Sequence, residues 1–332
     1  MHSEDRVAEL VFSASDLAET RFAVSPMWEV GTSFRLLRSG GSHPVHQRWL
    51  DQVRPRVAAA GLDRGWLAEL IASSGYVPDF VNPAPDGPSA TLDQELSGIL
   101  NTPEDRVRRD LDRLGVEQGS ASARVRALRD QPHHRLPHVV EEIRRYWELA
   151  LAPYWGRIRA VLEADIAHRA RQAVEHGTRH LFNDLHASVR WTDDTLRLAR
   201  RQRALDRTTS GPGLLLIPSA FTGPDPYTLI RPPDPPQLAY PARGTGTLWE
   251  SRSVRAAPAL ATVLGRTRAL LLSELELPAT TTDLAERTGL TAPAISQHLT
   301  TLRDAGLVSA HRHGRFVLYA RTVTADVLVE GG

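Results

Sequence analysis

The side chains with most to offer chemically lie together near the C-terminal end: Ser296, Gln297, Thr300 and Thr301, preceded by Thr291 and Pro293 and followed by Arg303. In a helix turning about 100° per residue, Ile295, Leu299 and Leu302 at i, i+4 and i+7 form one apolar stripe. Pro293, Ser296, Gln297, Thr300 and Thr301 then point the other way. A helix whose outer face is that small and polar can lie in a DNA major groove. There Ser and Gln hydrogen-bond to base edges, and Gln matches adenine bidentately. Arg312 and Arg315 flank a nearby turn, where guanidinium groups can reach phosphates or the minor groove. The chemistry these residues suggest is recognition.

The flanking sequence supplies elements that would position that face. Thr282 is expected to cap a short helix carrying Leu284, Ala285 and Thr288 inward, and Gly289 sits where a turn needs a positive φ. Thr291 is a good N-cap for the second helix, Pro293 falls in its first turn, and Gly306 closes it. Two β-rich runs follow, 307–311 and 316–320, joined through Arg312-His313-Gly314-Arg315 as a tight hairpin. Helix, turn, helix and two-stranded wing make a winged helix-turn-helix.

The run TDLAERTGLTAPAISQHLTTLRDAGLVSAHRHGRFVLYA resembles the DNA-binding domain of ArsR-family bacterial transcriptional repressors. That family's S-x-H-L-x-x-L-R-x-A-G-L-V segment, its recognition helix and exit, is matched by residues 296–308, and the likeness spans the last quarter of the chain. The resemblance implies a sequence-specific regulator on a double-stranded DNA operator. Half-site geometry makes a homodimer on a palindromic operator the expected form. Metal-sensing members carry a cysteine pair on the first helix of the motif. This chain has no cysteine, so neither that site nor any disulfide is available.

Other candidate chemistry is weaker. His176 and His180 have the i, i+4 spacing of a chelating pair, but Gly177 between them is expected to break the helix. His133, His134 and His138 cluster beside prolines without an accompanying carboxylate pattern. Gly211-Pro212-Gly213 and Gly244-Thr245-Gly246 lack the setting of a phosphate loop, and no G-x-S-x-G elbow occurs. Glu141-Glu142 diverge on a helix, and Asp193-Asp194 suit a solvated turn. No catalytic residue, metal ligand or cofactor is assigned, and no enzymatic activity is expected.

At 332 residues the chain is long enough for two or three domains. Its 41% hydrophobic and 24% charged content are ordinary for a globular protein, and a net charge of +1 argues against strong non-specific nucleic-acid binding. No apolar run approaches the roughly 18 residues of a membrane span. The polar N-terminus does not read as a secretory signal, so a cytoplasmic protein is expected.

Residues 6–12 read as a strand. Helices are expected from Pro26 to about Gly40, over 43–54, over 63–73, from Thr91, from Thr102-Pro103-Glu104, from Pro137 and from Pro153, with Gly177 ending the last before a short helix over 180–185. A hairpin over 188–198 and buried strands over 213–217 and 237–240 follow. Between Pro218 and Pro241 eight prolines argue for a surface loop and against helix or central strand. A helix over 258–275 opens the DNA-binding part.

The expected fold class is mainly α (α+β): a helical N-terminal body with a small β element over 1–250, then a winged helix-turn-helix over 255–332. Trp28, Phe34, Trp49, Tyr76, Tyr154 and their neighbours would form the body's core or line a pocket, so dimerisation and a small-molecule effector are expected of the N-terminal region. The alternative is an enzyme or interaction scaffold that uses the winged helix to dimerise.

Overall fold

The computed structural model describes residues 8–11, 14–41, 43–192, 195–198, 206–207, 213–249, 258–313 and 316–330. The fold is mainly helical with small sheets. The chain divides into two compact units, neither contiguous in sequence. One combines Met1–Gly41, Arg64–Glu141 and Val161–Thr245; the other combines Ser42–Asp63, Glu142–Ala160 and Gly246–Gly332.

In the first unit the apolar run after Gly213 is the strand Leu215–Ser219, buried along its length. It is central in a four-stranded sheet ordered Arg21–Phe22, Leu215–Ser219, Gln237–Pro241, Tyr227–Leu229, the first three parallel and the last antiparallel. Side chains alternate between faces: Leu214, Leu216 and Tyr240 join a cluster with Phe182 and Trp191, while Leu215, Ile217 and Ala239 pack with Trp28. Both faces are covered, which is why the strand reads as an unbroken apolar run.

This sheet corrects the expectation for the proline-rich stretch, which supplies two strands and part of a third. Pro218 is tolerated in a central strand for a geometric reason. Pairing with Arg21–Phe22 ends at Leu216, and Leu215 N–H points to the opposite neighbour, donating to the Pro236 carbonyl at 2.8 Å. By alternation the Pro218 nitrogen faces the side where that pairing has already ended.

The helices follow their sequence signals closely where caps are local. Ser25 Oγ accepts from Trp28 N at 3.2 Å ahead of Pro26–Arg38, and Thr91 with Gln94 forms a capping box ahead of Leu92–Leu100. Three differences stand out. Pro103 is itself the N-cap of Glu104–Glu117, an additional helix spans Ala123–Asp130, and the next helix, Pro132–Ala150, contains Pro137. One lost backbone bond there is outweighed by burial of Leu136, Val139 and Ile143 on the same helix. A second sheet is ordered Val189–Thr192, Thr195–Leu198, Ala8–Val11, Asp206–Arg207. The turn residues Asp193 and Asp194 lie outside the described residues.

The second unit has a core of Leu271, Leu272, Leu284, Ile295, Leu299, Leu302, Leu307, Val308 and Val329, among others. The helix expected over 258–275 is two, Pro258–Leu264 and Arg266–Glu274, because Gly265 adopts φ 84 between them. Earlier segments of the chain belong to this unit. On Gln47–Ala59, Trp49 stacks on Trp249 with centroids 6.4 Å apart, while Trp249 Nε1 donates to His46 Nδ1 at 2.9 Å. Tyr154 meets the same indole edge-on, and Arg157 pairs with Asp326 of the last helix, Val323–Glu330, at 3.3 Å.

Candidate nucleic-acid interface

The helix-turn-helix is built from local signals. Its first helix, Thr281–Thr288, is capped by Thr280 rather than Thr282. Of the three consecutive threonines only Thr280 has an acid three residues on: Asp283 N donates to Thr280 Oγ1 at 3.1 Å and Thr280 N to Asp283 Oδ2 at 2.8 Å. Gly289 ends the helix in the left-handed region at φ 71, its N–H donating to Ala285 O at 2.9 Å. Thr288, read as an apolar position, instead donates its hydroxyl to Leu284 O at 2.7 Å.

The second helix is Ala292–Asp304, with Pro293 in its first turn. Ile295, Leu299 and Leu302 are buried in the core of the unit, and this fixes the helix rotation. Gly306 at φ 70 closes the helix. Leu307 N donates to Leu302 O at 2.9 Å and Gly306 N to Arg303 O at 2.8 Å, the two bonds of a Schellman ending.

Thr291, Pro293, Ser296, Gln297, Thr300, Thr301 and Arg303 are all exposed. Among the described residues, Ser296 and Gln297 have no side-chain hydrogen bond to the protein. Thr300 and Thr301 donate their hydroxyls back to Ser296 O at 2.9 Å and Gln297 O at 3.2 Å. Each Oγ1 is left as an acceptor, and the donor is spent on the helix. Thr291 holds the N-cap position with no side-chain cap bond, so its hydroxyl and the first N–H groups of the helix remain open to a ligand. The Arg303 guanidinium lies 3.3 Å from the carboxylate of its exposed neighbour Asp304, a contact that restrains it little.

The wing is longer than read from sequence. Val308–His313 and Phe316–Arg321 pair antiparallel, from Val308 with Arg321 to His313 with Phe316. A third segment joins them: Ala279 bridges Tyr319, with N–H to carbonyl distances of 3.0 and 2.9 Å in the two directions. That bridge had no signal in the sequence, since a single residue gives no periodicity. Arg312 is exposed near the turn, and Arg315 lies outside the described residues. His311 on the same strand is largely buried beside Ser309 Oγ, at 2.9 Å, and burial pushes its pKa down.

The other sequence candidates do not converge. The rings of His176 and His180 lie edge to face, 4.9 Å between centroids, with Gly177 at φ 84 breaking the helix between them. Among the described residues no group of three or more His, Asp or Glu is placed to hold a metal ion, and no helix is long and apolar enough to cross a membrane.

No curated protein and no solved structure matches the chain. Residues 267–310, from the helix before the motif to the first wing strand, match the family model described as bacterial regulatory protein, arsR family. This segment is therefore an ArsR-type helix-turn-helix domain, and the chain that carries it is a DNA-binding transcriptional regulator.

Proposed function

We propose that the protein is a cytoplasmic repressor that binds a pseudo-palindromic operator as a homodimer and is controlled by a small molecule taken up in its N-terminal region. The observation that carries this reading is the outward face of Ala292–Asp304, small, polar and exposed on a helix whose rotation is fixed by three buried residues. Gln297 is assigned a bidentate contact with adenine, and Ser296 a second base-edge hydrogen bond. Thr300, its donor already used, would accept from a base amino group or set its methyl against thymine.

Thr291 and the open helix N-terminus would take a phosphate, with Pro293, Thr301 and Arg303 bordering the contact surface. Arg312 and Arg315 would hold the flanking backbone from the wing. Two such helices on a dimer would enter successive major grooves about 34 Å apart.

The test is fluorescence anisotropy of the full chain on its own upstream DNA against a scrambled fragment at two salt concentrations. A preference of about two orders of magnitude or more is expected. Equal, weak and salt-sensitive binding, both here and after selection from a random DNA pool, would remove sequence-specific regulation.

A further inference from the structure

The first unit contains a cleft of about 840 Å³, within the size range of small-molecule sites. Its wall is built rather than incidental. Trp28 Nε1 donates to Gln237 Oε1 at 2.7 Å, and Gln237 Nε2 donates to the Asn82 carbonyl at 3.3 Å, a buried polar chain that fixes Trp28 and Asn82 on the lining. Gly31 keeps the adjoining helix surface low; a Cβ there would stand 3.5 Å from Asn82 Oδ1. Asn82 is 8% exposed, and among the described residues neither its Oδ1 nor Thr228 Oγ1, also on the lining, has a hydrogen-bond partner. Buried polar atoms left without partners are costly, and native proteins keep few of them.

The charges in the cleft are unequally matched. Arg113 lies over the Tyr76 ring, 3.7 Å from its centroid, and is balanced by Glu117 at 3.5 Å and Asp79 at 3.9 Å. Arg35 lies 5.3 Å from the Tyr227 ring centroid and donates to the Gly75 carbonyl at 2.8 Å, and among the described residues it forms no ion pair. Asp225 is exposed to solvent on the lining, where its field is screened. The cleft thus offers a guanidinium that forms no ion pair among the described residues, beside the Tyr227 ring and the small exposed edges of Trp28 and Leu229.

We propose that this cleft binds a small organic carboxylate with a flat aromatic body, its carboxylate held by Arg35 and its ring laid against Trp28 and Tyr227. A guanidinium matches a carboxylate in two parallel hydrogen bonds, and the apolar wall takes the ring. Asn82 and Thr228 supply acceptors for a hydroxyl or N–H on that ring. Binding stands on the cleft alone; its use as the effector site rests on the regulatory reading above.

The probe is 2-naphthoate, titrated into the full chain by calorimetry beside 2-naphthamide and 2-naphthylmethylamine, in the wild type, Arg35→Gln and Arg35→Lys. Saturable binding of the naphthoate in the millimolar range or tighter is expected. Arg35→Gln should weaken it by about tenfold or more, Arg35→Lys should restore part of the affinity, and the amide should bind about tenfold more weakly than the acid to the wild type. The acid–amide contrast on the wild type keeps the test valid if Arg35→Gln folds poorly. No saturable binding of the naphthoate, equal binding of acid and amide, or tighter binding of the amine overturns the proposal. Anisotropy on DNA with and without naphthoate separates the two readings. Cleft binding with unchanged DNA affinity keeps the site and removes effector control, whereas absence of cleft binding leaves DNA recognition untouched.

Discussion

Replacing Gln297 with alanine isolates the base contact proposed for it from everything else the second helix does. The Gln297 side chain is exposed and bonds to no protein group among the described residues; its backbone carbonyl accepts from Thr301 Oγ1 at 3.2 Å. The substitution removes no side-chain hydrogen bond among the described residues, and alanine is the better helix former by a few tenths of a kcal/mol, so Tm should hold or rise slightly. A bidentate glutamine–adenine pair is worth about 1–3 kcal/mol, and the proposed homodimer would make it once per half-site, so operator affinity should fall by about 2–6 kcal/mol. The lower end is about thirtyfold in Kd. Binding to random DNA, carried by phosphate contacts, should hardly change. Anisotropy titrations of both fragments at one fixed salt concentration measure the difference directly. Equal losses on the two DNAs, or no loss on the operator, would refute the assignment of this face to base contacts.

Three further outcomes follow from the same geometry. Arg312→Ala should weaken operator and random DNA alike and lower the slope of log K against log salt by about one per subunit, measured by titration at several salt concentrations; an unchanged slope places the wing off the backbone. Gly289→Ala meets no atom within 4 Å of the new Cβ, so any loss of stability reports backbone strain at φ 71 alone: about 1–2 kcal/mol in a denaturant melt, and less for Gly289→Asn. The buried carboxyl of Glu29, which accepts from Ala220 N at 3.0 Å, is pushed by desolvation from about 4.5 up to about 8. Between those values the folded state holds a proton that the unfolded chain releases, so stability is greatest at the acid end and is lost as pH rises through about 8. Tm should therefore fall between about pH 5 and about pH 9 and fall less in Glu29→Gln; parallel profiles would contradict the shift.

The residues assigned to DNA recognition are legible in the sequence because each of their signals acts within a few positions. Gly289 needs its left-handed conformation for the turn beside it, Gly306 for the Schellman bonds to Leu302 and Arg303, and Ile295, Leu299 and Leu302 set the helix face by spacing alone. The same rule explains the misses. Gly265 divides a stretch whose apolar pattern runs straight through it, and since glycine inside a helix costs only about 1 kcal/mol, composition could not say that the chain would turn there.

Pro218 sits in a central strand because of where Arg21–Phe22 stops pairing, a fact set by a segment almost 200 positions away. Trp249 depends on His46, Trp49 and Tyr154 in the same way, and no window of sequence joins them. Arg35 is the sharpest case. In sequence it is one arginine on an amphipathic helix, indistinguishable from Arg38 three residues on. It becomes a site only when Tyr227, Asn82 and Thr228 arrive from other segments, while Asp79 and Glu117 engage Arg113 instead. A recognition helix is specified by local spacing and can be read from a single strip of sequence. A ligand cleft is specified by which distant charges fail to meet, and that depends on the fold.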